Sequence, residues 1–187
     1  MDKIIIDIET SNSFQDVGGQ GNIKDLKLSF VGIYSYKEDK YLGFFEDKLK
    51  DLEEIFKKTG LIIGFAIHRF DIPVLEKYFS INIKKIPTLD ILDEIEMTYG
   101  KRIGLDVLAQ ANLGQKKTHH GLEAIRLYKE GKLDELRDYC FNDVKLTKDL
   151  YELVKKQKYL VIPHRDTKES IKVPLDFKEV AIPSTLF

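Results

Sequence analysis

The sequence is poor in cysteine, in long apolar runs and in net charge, and each shortage removes a class of protein. One cysteine, Cys140, in 187 residues excludes an internal disulfide framework and any cysteine-based zinc cluster, so a bound metal has to be held by oxygen. Met1-Asp2-Lys3-Ile4-Ile5-Ile6-Asp7 has too few apolar residues before its acid for a signal-peptide core. No later run approaches the ~20 residues that span a bilayer. The chain is therefore expected to be soluble and cytoplasmic. Thirty Lys plus Arg against thirty-one Asp plus Glu leave a net charge of -1, which excludes a polybasic nucleic-acid binder; any such binding has to be local. What is present, 43% hydrophobic and 33% charged residues, suffices for one compact domain with at most a short appendage.

The first two thirds alternate strand-like and helix-like segments, the pattern of an α/β layered fold. Lys3 to Glu9 is a β-branched run suited to a central strand covered on both faces. Leu26 to Tyr36 and Tyr41 to Phe45 read as two more strands around the polar turn Lys37-Glu38-Asp39-Lys40, giving an antiparallel meander. Leu49 to Lys58 carries apolar residues on one helical face, Leu61 to Ala66 returns as a strand, and Asp71-Ile72-Pro73 opens a helix. Ile86 to Leu92 reads as a fifth strand. Leu105 to Leu113, Gly121 to Lys129 and Leu133 to Gln157 read as helices. The remainder, 158–187, reads as a β-hairpin appendage, with Tyr159 to Ile162 and Ile171 to Val173 flanking a polar stretch. Residues 11–25, with Gly18, Gly19 and Gly21, form a long polar segment of the kind that carries function or moves.

Acids placed on faces that ought to be apolar are the strongest chemical clue. The period of two puts Asp7 and Glu9 on the Ile5 face of the first strand, opposite Ile4, Ile6 and Ile8. Two like charges on a buried strand are costly unless a cation, a base or solvent compensates them; they either cap a strand end or bind a cation. Asp71 follows a buried-type strand and is either a helix N-cap or a ligand, and His68 and Arg69 beside it are either its ion-pair partners or substrate contacts. In the long helix, Leu136, Tyr139, Cys140, Asp143, Leu146 and Leu150 share one stripe, so Asp143 points inward one turn after Tyr139. It is either a buried acid bonded to the tyrosine or a metal ligand. Four carboxylates converging from these places would suit two Mg²⁺ or Mn²⁺ ions, which stabilise attacking and leaving oxygens in phosphodiester hydrolysis. Two divalent ions would also turn the net charge positive, favouring a polyanion.

Asp7-Ile8-Glu9, Asp71, and Tyr139 with Asp143 resemble the three motifs of the DEDD exonucleases, tyrosine subclass, of the ribonuclease H-like superfamily. Gly64-Phe65-Ala66-Ile67-His68-Arg69-Phe70-Asp71-Ile72-Pro73 is similar to the second motif of family B DNA polymerase proofreading domains. Residues 104–151 look most like the YprB-like exonucleases, as do the Gly18 to Gly21 segment and the final hairpin. The resemblance implies a ribonuclease H-like fold over 1–157, a five-stranded mixed sheet flanked by helices, with 158–187 as appendage. It implies a 3'-5' exonuclease on single-stranded DNA or RNA ends in which Asp7, Glu9, Asp71 and Asp143 hold two divalent cations. By the same pattern Tyr139 orients the attacking water and Thr10 meets the terminal nucleotide. Ala66 departs from the pattern: polymerase relatives commonly carry there an Asn that assists substrate binding, so polymerase-like handling of the strand is not implied.

Two further contacts are readable locally. Lys117, in Lys116-Lys117-Thr118-His119-His120, either contacts phosphates or lies in a solvated loop; the adjacent histidines lack a spaced partner for zinc. Phe14 either stacks on a base or packs locally. Two other functions fit the same residues: an endonuclease of the same superfamily, and a non-catalytic nucleic-acid-binding module.

Overall fold

The computed structural model describes residues 1–115, 121–164 and 169–179. Its centre is β1 (Asp2–Thr10), whose isoleucines are all buried. β1 pairs antiparallel with β2 (Leu28–Ser35), which pairs antiparallel with β3 (Lys40–Phe44). On its other side β1 runs parallel to β4 (Thr59–Gly64), and β4 runs parallel to β5 (Thr88–Asp90). The sheet order is therefore β3-β2-β1-β4-β5, the expected five-stranded mixed sheet. The expected meander is the β1-β2-β3 half, and its turn places Asp39 at φ 50.

The period of two divides β1 as read from the sequence. Ile4, Ile6 and Ile8 join the cluster under α1 (Leu49–Phe56) and α2 (Asp71–Leu75), with Leu52, Phe56 and Val74. Ile5 joins the opposite cluster, with Leu146 and Leu150 of α6 (Leu133–Gln157, with α4 and α5 preceding it in the chain at Leu105–Leu113 and Gly121–Lys129). All three of these helices occupy the expected spans. Asp7 and Glu9 thus continue the face that α6 covers.

Beyond shifts of one or two residues at the ends of β2, β3 and α1, two boundaries differ from expectation for a readable reason. The run from Ile86 to Leu92 yields a three-residue strand, and α3 (Ile91–Tyr99) begins at once. The reason is Asp90, whose carboxylate accepts from the backbone N–H groups of Leu92 and Asp93 and so starts a helix inside an apolar run. β4 likewise stops at Gly64, before the expected Ala66, because Ala66 adopts a left-handed conformation at φ 64 that ends the ladder.

The hairpin forms as β6 (Tyr159–Pro163) with β7 (Ser170–Pro174). Leu160, Ile162 and Val173 bury into the α6 cluster, so it adds to the same core. Its exit is tied down by Glu179, which accepts from the Tyr151 hydroxyl and pairs with Lys155 at 2.8 Å. These donors hold the Glu179 carboxyl at about 2, below its ordinary 4.5. A depressed carboxylate contributes stability above its unfolded value that is lost as the pH falls through the folded one. The stability difference between wild type and Glu179→Gln is accordingly expected to be full above pH 4.5 and to shrink towards pH 2, as checked by urea unfolding at stepped pH. Among the described residues no helix is long and apolar enough to cross a membrane.

Candidate active site

A cavity of about 460 Å³ opens at the carboxyl ends of β1 and β4, where open α/β sheets commonly receive ligands. Its position follows from the sheet. β4 accompanies β1 only as far as Ile5, whereas β2 follows it to Thr10. The last turn of β1 therefore lacks a β4 neighbour, and the gap becomes the cavity. Asp7, Glu9, Thr10, Phe14, Asp71, Tyr139 and Asp143 all line it. The structure thus brings together, from three separate elements, every acid singled out on the sequence.

α6 delivers Tyr139 and Asp143. It crosses β2 at Gly32, where a Cβ would stand 2.8 Å from Cys140 Sγ and 3.2 Å from side-chain atoms of Phe141 and Val144. Gly32 is the register partner of Asp7, so the glycine that lets the helix approach also sets it over the first acid. Cys140 Sγ donates towards the Asp7 carboxylate at 3.4 Å. Burial, with the charges of Asp7, Glu9 and Asp143, pushes the Cys140 thiol well above its ordinary value, so it stays protonated and is no nucleophile.

Asp71 is the first residue of α2; the cap position belongs to Phe70, whose side chain makes no capping hydrogen bond. The N-cap reading is therefore corrected: the carboxylate turns inward, 3% exposed, and Asp71 Oδ1 has no hydrogen-bond partner among the described residues. Burial and then the charge of Asp7 raise its pKa well above the ordinary carboxylate range, against the pull of backbone hydrogen bonds from Asp71 and Ile8. A buried, unsatisfied oxygen among like charges is an expensive arrangement in isolation and a suitable one for a cation. Asp7, Glu9 and Cys140 also offer ligand atoms within 4.8 Å of one another. The donor set is otherwise oxygen, and it fits hard divalent cations.

The other candidates divide. The Thr10 hydroxyl donates to the Asn12 carbonyl at 2.9 Å, shaping the turn that carries Phe14. Phe14 meets Phe70 edge to face, ring centroids 5.9 Å apart. His68 and Arg69 are absent from the cavity lining. His68 Nδ1 lies 2.7 Å from Asp93 Oδ2, and Arg69 pairs with Asp93 and Glu96. Both side chains face β5 and α3, because the left-handed Ala66 turns the chain that way. Lys117 and its basic stretch lie outside the described residues. Sequence reasoning missed the apolar part of the lining, Leu122 and Ile125 of α5 with Phe65. Leu122 is 71% exposed; an apolar residue on the outer side of a helix signals nothing without its neighbours. It also missed Asp90, for which an acid between a strand and an apolar helical stripe was a readable signal.

Ala66 sits where L residues other than Asn and Asp rarely go. Ala66→Gly is expected to raise stability by about 1 kcal/mol through relief of left-handed strain, net of the flexibility glycine adds to the unfolded chain. Thermal unfolding of the two proteins side by side checks this.

The family model of the RNase H superfamily, RNase_H_2, matches residues 4–155. The chain belongs to the RNase H superfamily. Comparison with curated proteins gives no match. Among solved structures, the fold is similar to that of the family B DNA polymerase from the hyperthermophilic archaeon Pyrobaculum calidifontis. That match has 14% identity and a TM-score of 0.62, and covers 83% of this chain and 24% of the polymerase. It is also similar to E. coli ExoI in its zinc-bound complex with ssDNA, at 12% identity and a TM-score of 0.51, over 84% of this chain and 41% of ExoI. The chain thus spans about a quarter and two fifths of these proteins.

Proposed function

We propose that this chain is a metal-dependent nuclease, specifically a 3'-5' exonuclease that removes nucleotides from single-stranded DNA or RNA ends. The observation that carries the reading is the convergence of Asp7, Glu9, Asp71 and Asp143 with Tyr139 on one cavity in a chain of this superfamily. Two of the solved structures it resembles, a DNA polymerase and ExoI bound to ssDNA, support a nucleic-acid substrate. Residues 1–157 form the catalytic domain in this reading, with 158–187 as its appendage.

Asp7, Glu9, Asp71 and Asp143 would hold two divalent cations, Mg²⁺ or Mn²⁺. When bound, such ions lower the pKa of an attacking water and stabilise charge on the phosphate and the departing 3' oxygen. The chain's own residues do the rest. Tyr139, a buried residue that lines the cavity, would offer its hydroxyl to that water as one hydrogen bond and align it with the scissile phosphorus. Thr10 meets the terminal nucleotide through its backbone, its hydroxyl being committed to Asn12. Phe14 stacks on a base, while Leu122 and Ile125 offer the entering strand an apolar surface.

The reading is tested by incubating the protein with 3'- and 5'-labelled single-stranded DNA and RNA in Mg²⁺, Mn²⁺ and EDTA. A metal-dependent ladder shortening from the 3' end is expected. Cutting of a circular single strand would replace the exonuclease by an endonuclease, and end binding without hydrolysis would replace it by a binding module. Tyr139→Phe is expected to lower kcat by about 100-fold, the scale of losing one positioned group at the reacting centre, while calorimetric Mn²⁺ binding is retained. Loss of that binding would contradict the water-orienting role.

A further inference from the structure

We infer that Asp90 is the positioning residue for Asp71, holding the loop that aims it through a clamp built at the β5–α3 junction. The inference rests on the reading of Asp71 as a cation ligand. Asp71 begins a helix of five residues, too short to hold its own geometry; its place is inherited from the preceding turn. That turn, 66–70, leaves the sheet at Gly64 and so loses the ladder that would satisfy its N–H groups. Asp90 supplies the replacement. Its Oδ1 accepts from Ala66 N–H at 2.9 Å and its Oδ2 from His68 N–H at 3.1 Å. The same Oδ1 accepts from Leu92 N–H at 3.0 Å at the start of α3.

Asp90 itself is the last residue of β5. It is 2% exposed and is the β5 register partner of Gly64. One carboxylate therefore fastens the sheet, the start of α3 and the turn that leads to Asp71. Two outer ties reinforce it. The His68 ring bridges Asp93 and Thr88, at 2.7 and 2.6 Å, and Arg69 pairs with Asp93 at 2.9 Å and Glu96 at 2.5 Å. The turn is then closed by Arg69 and Phe70 N–H groups on the Ala66 carbonyl and by Ile72 N–H on Ile67. His68 and Arg69 thus act through Asp71, not on a substrate.

Mn²⁺ is titrated calorimetrically, without nucleic acid, into wild type, Asp90→Asn and Asp93→Ala, and kcat and KM on a single strand are measured for each. Asp90→Asn keeps the volume but presents an amide to one of the two turn N–H groups. It is expected to weaken Mn²⁺ binding by about 10-fold or more and to lower kcat alike, the scale at which partners of ligands act. KM for the strand is expected to stay within about twofold, since ground-state binding is untouched. Asp93→Ala, a half-buried surface change that removes partners of both His68 and Arg69, shifts the same quantities in the same direction by less, and it decides the matter should Asp90→Asn not fold. Lowered melting temperature with unchanged Mn²⁺ affinity in the folded variants would overturn the clamp and leave the site reading intact. Wild type that binds no Mn²⁺ would overturn the site reading and the clamp with it.

Discussion

Asp7→Ala and Asp143→Ala are each expected to reduce nucleotide release by about 10³-fold or more, on the order of 4 kcal/mol of transition-state stabilisation, the upper range for a single group that faces developing charge. The fold should survive, since both side chains face a cavity and neither supplies apolar core. In EDTA the Asp7 variant should melt at or above the wild-type temperature. The charge of Asp7 is what, after burial, lifts the Asp71 pKa, and deleting it removes a like-charge penalty. In Mn²⁺ the order should reverse, because only the wild type gains the stabilisation that comes from binding the folded state. Melting curves with and without Mn²⁺, beside the nuclease assay, read both effects. Undiminished activity of a protein carrying both Asp7→Ala and Asp143→Ala would end the active-site assignment.

Gly32→Val is expected to produce the largest loss of stability, about 3 kcal/mol. Overpacking a core typically costs about 1–3 kcal/mol, and here even a first Cβ stands 2.8 Å from Cys140 Sγ with Phe141 and Val144 close behind. The nearest of these, Cys140, cannot retreat cheaply, since it and Val144 are fully buried. Relief comes from lifting α6, which carries Tyr139 and Asp143 away from Asp7, so Mn²⁺ affinity should fall with stability. Gly32→Ala is milder, and its loss should be largely recovered in Gly32→Ala with Cys140→Ala, because the second change removes the atom nearest the clash. Urea unfolding of the four proteins of that cycle reads the coupling. Additive losses would show that the contact between β2 and α6 is looser than the structure has it.

These two expectations differ in how much of their basis could be read from the chain. The carboxylates were legible because their placement violates local pattern. An acid in the Ile5 face of β1, or in the apolar stripe of α6, conflicts with the burial its neighbours dictate, and such conflicts mark functional sites. The switch from a three-residue strand to a helix at Ile91 was not legible, since a short apolar run reads equally as strand or helix, and Asp90 resolves it only once its carboxylate meets Leu92 and Asp93. Asp71 was ambiguous for a similar reason. An acid before Ile72-Pro73 is a standard helix start, and only burial at 3% with a partnerless oxygen separates the two roles. His68 and Arg69 stand beside Asp71 in sequence, yet the left-handed Ala66 sends them towards α3.

By itself the sequence determined the α/β class, the spans of the long helices, the two faces of β1 and the identity of the acids, all of which follow from periodicities of 2 and 3.6 that act over a few residues. Tertiary structure alone decided that β4 leaves β1 after Ile5, that α6 crosses at Gly32 above Asp7, and that the Asp90 carboxylate meets a turn 24 positions away. Those outcomes depend on which distant surfaces come into contact, and close packing and buried hydrogen bonds are satisfied over the whole domain at once, so no local pattern records them.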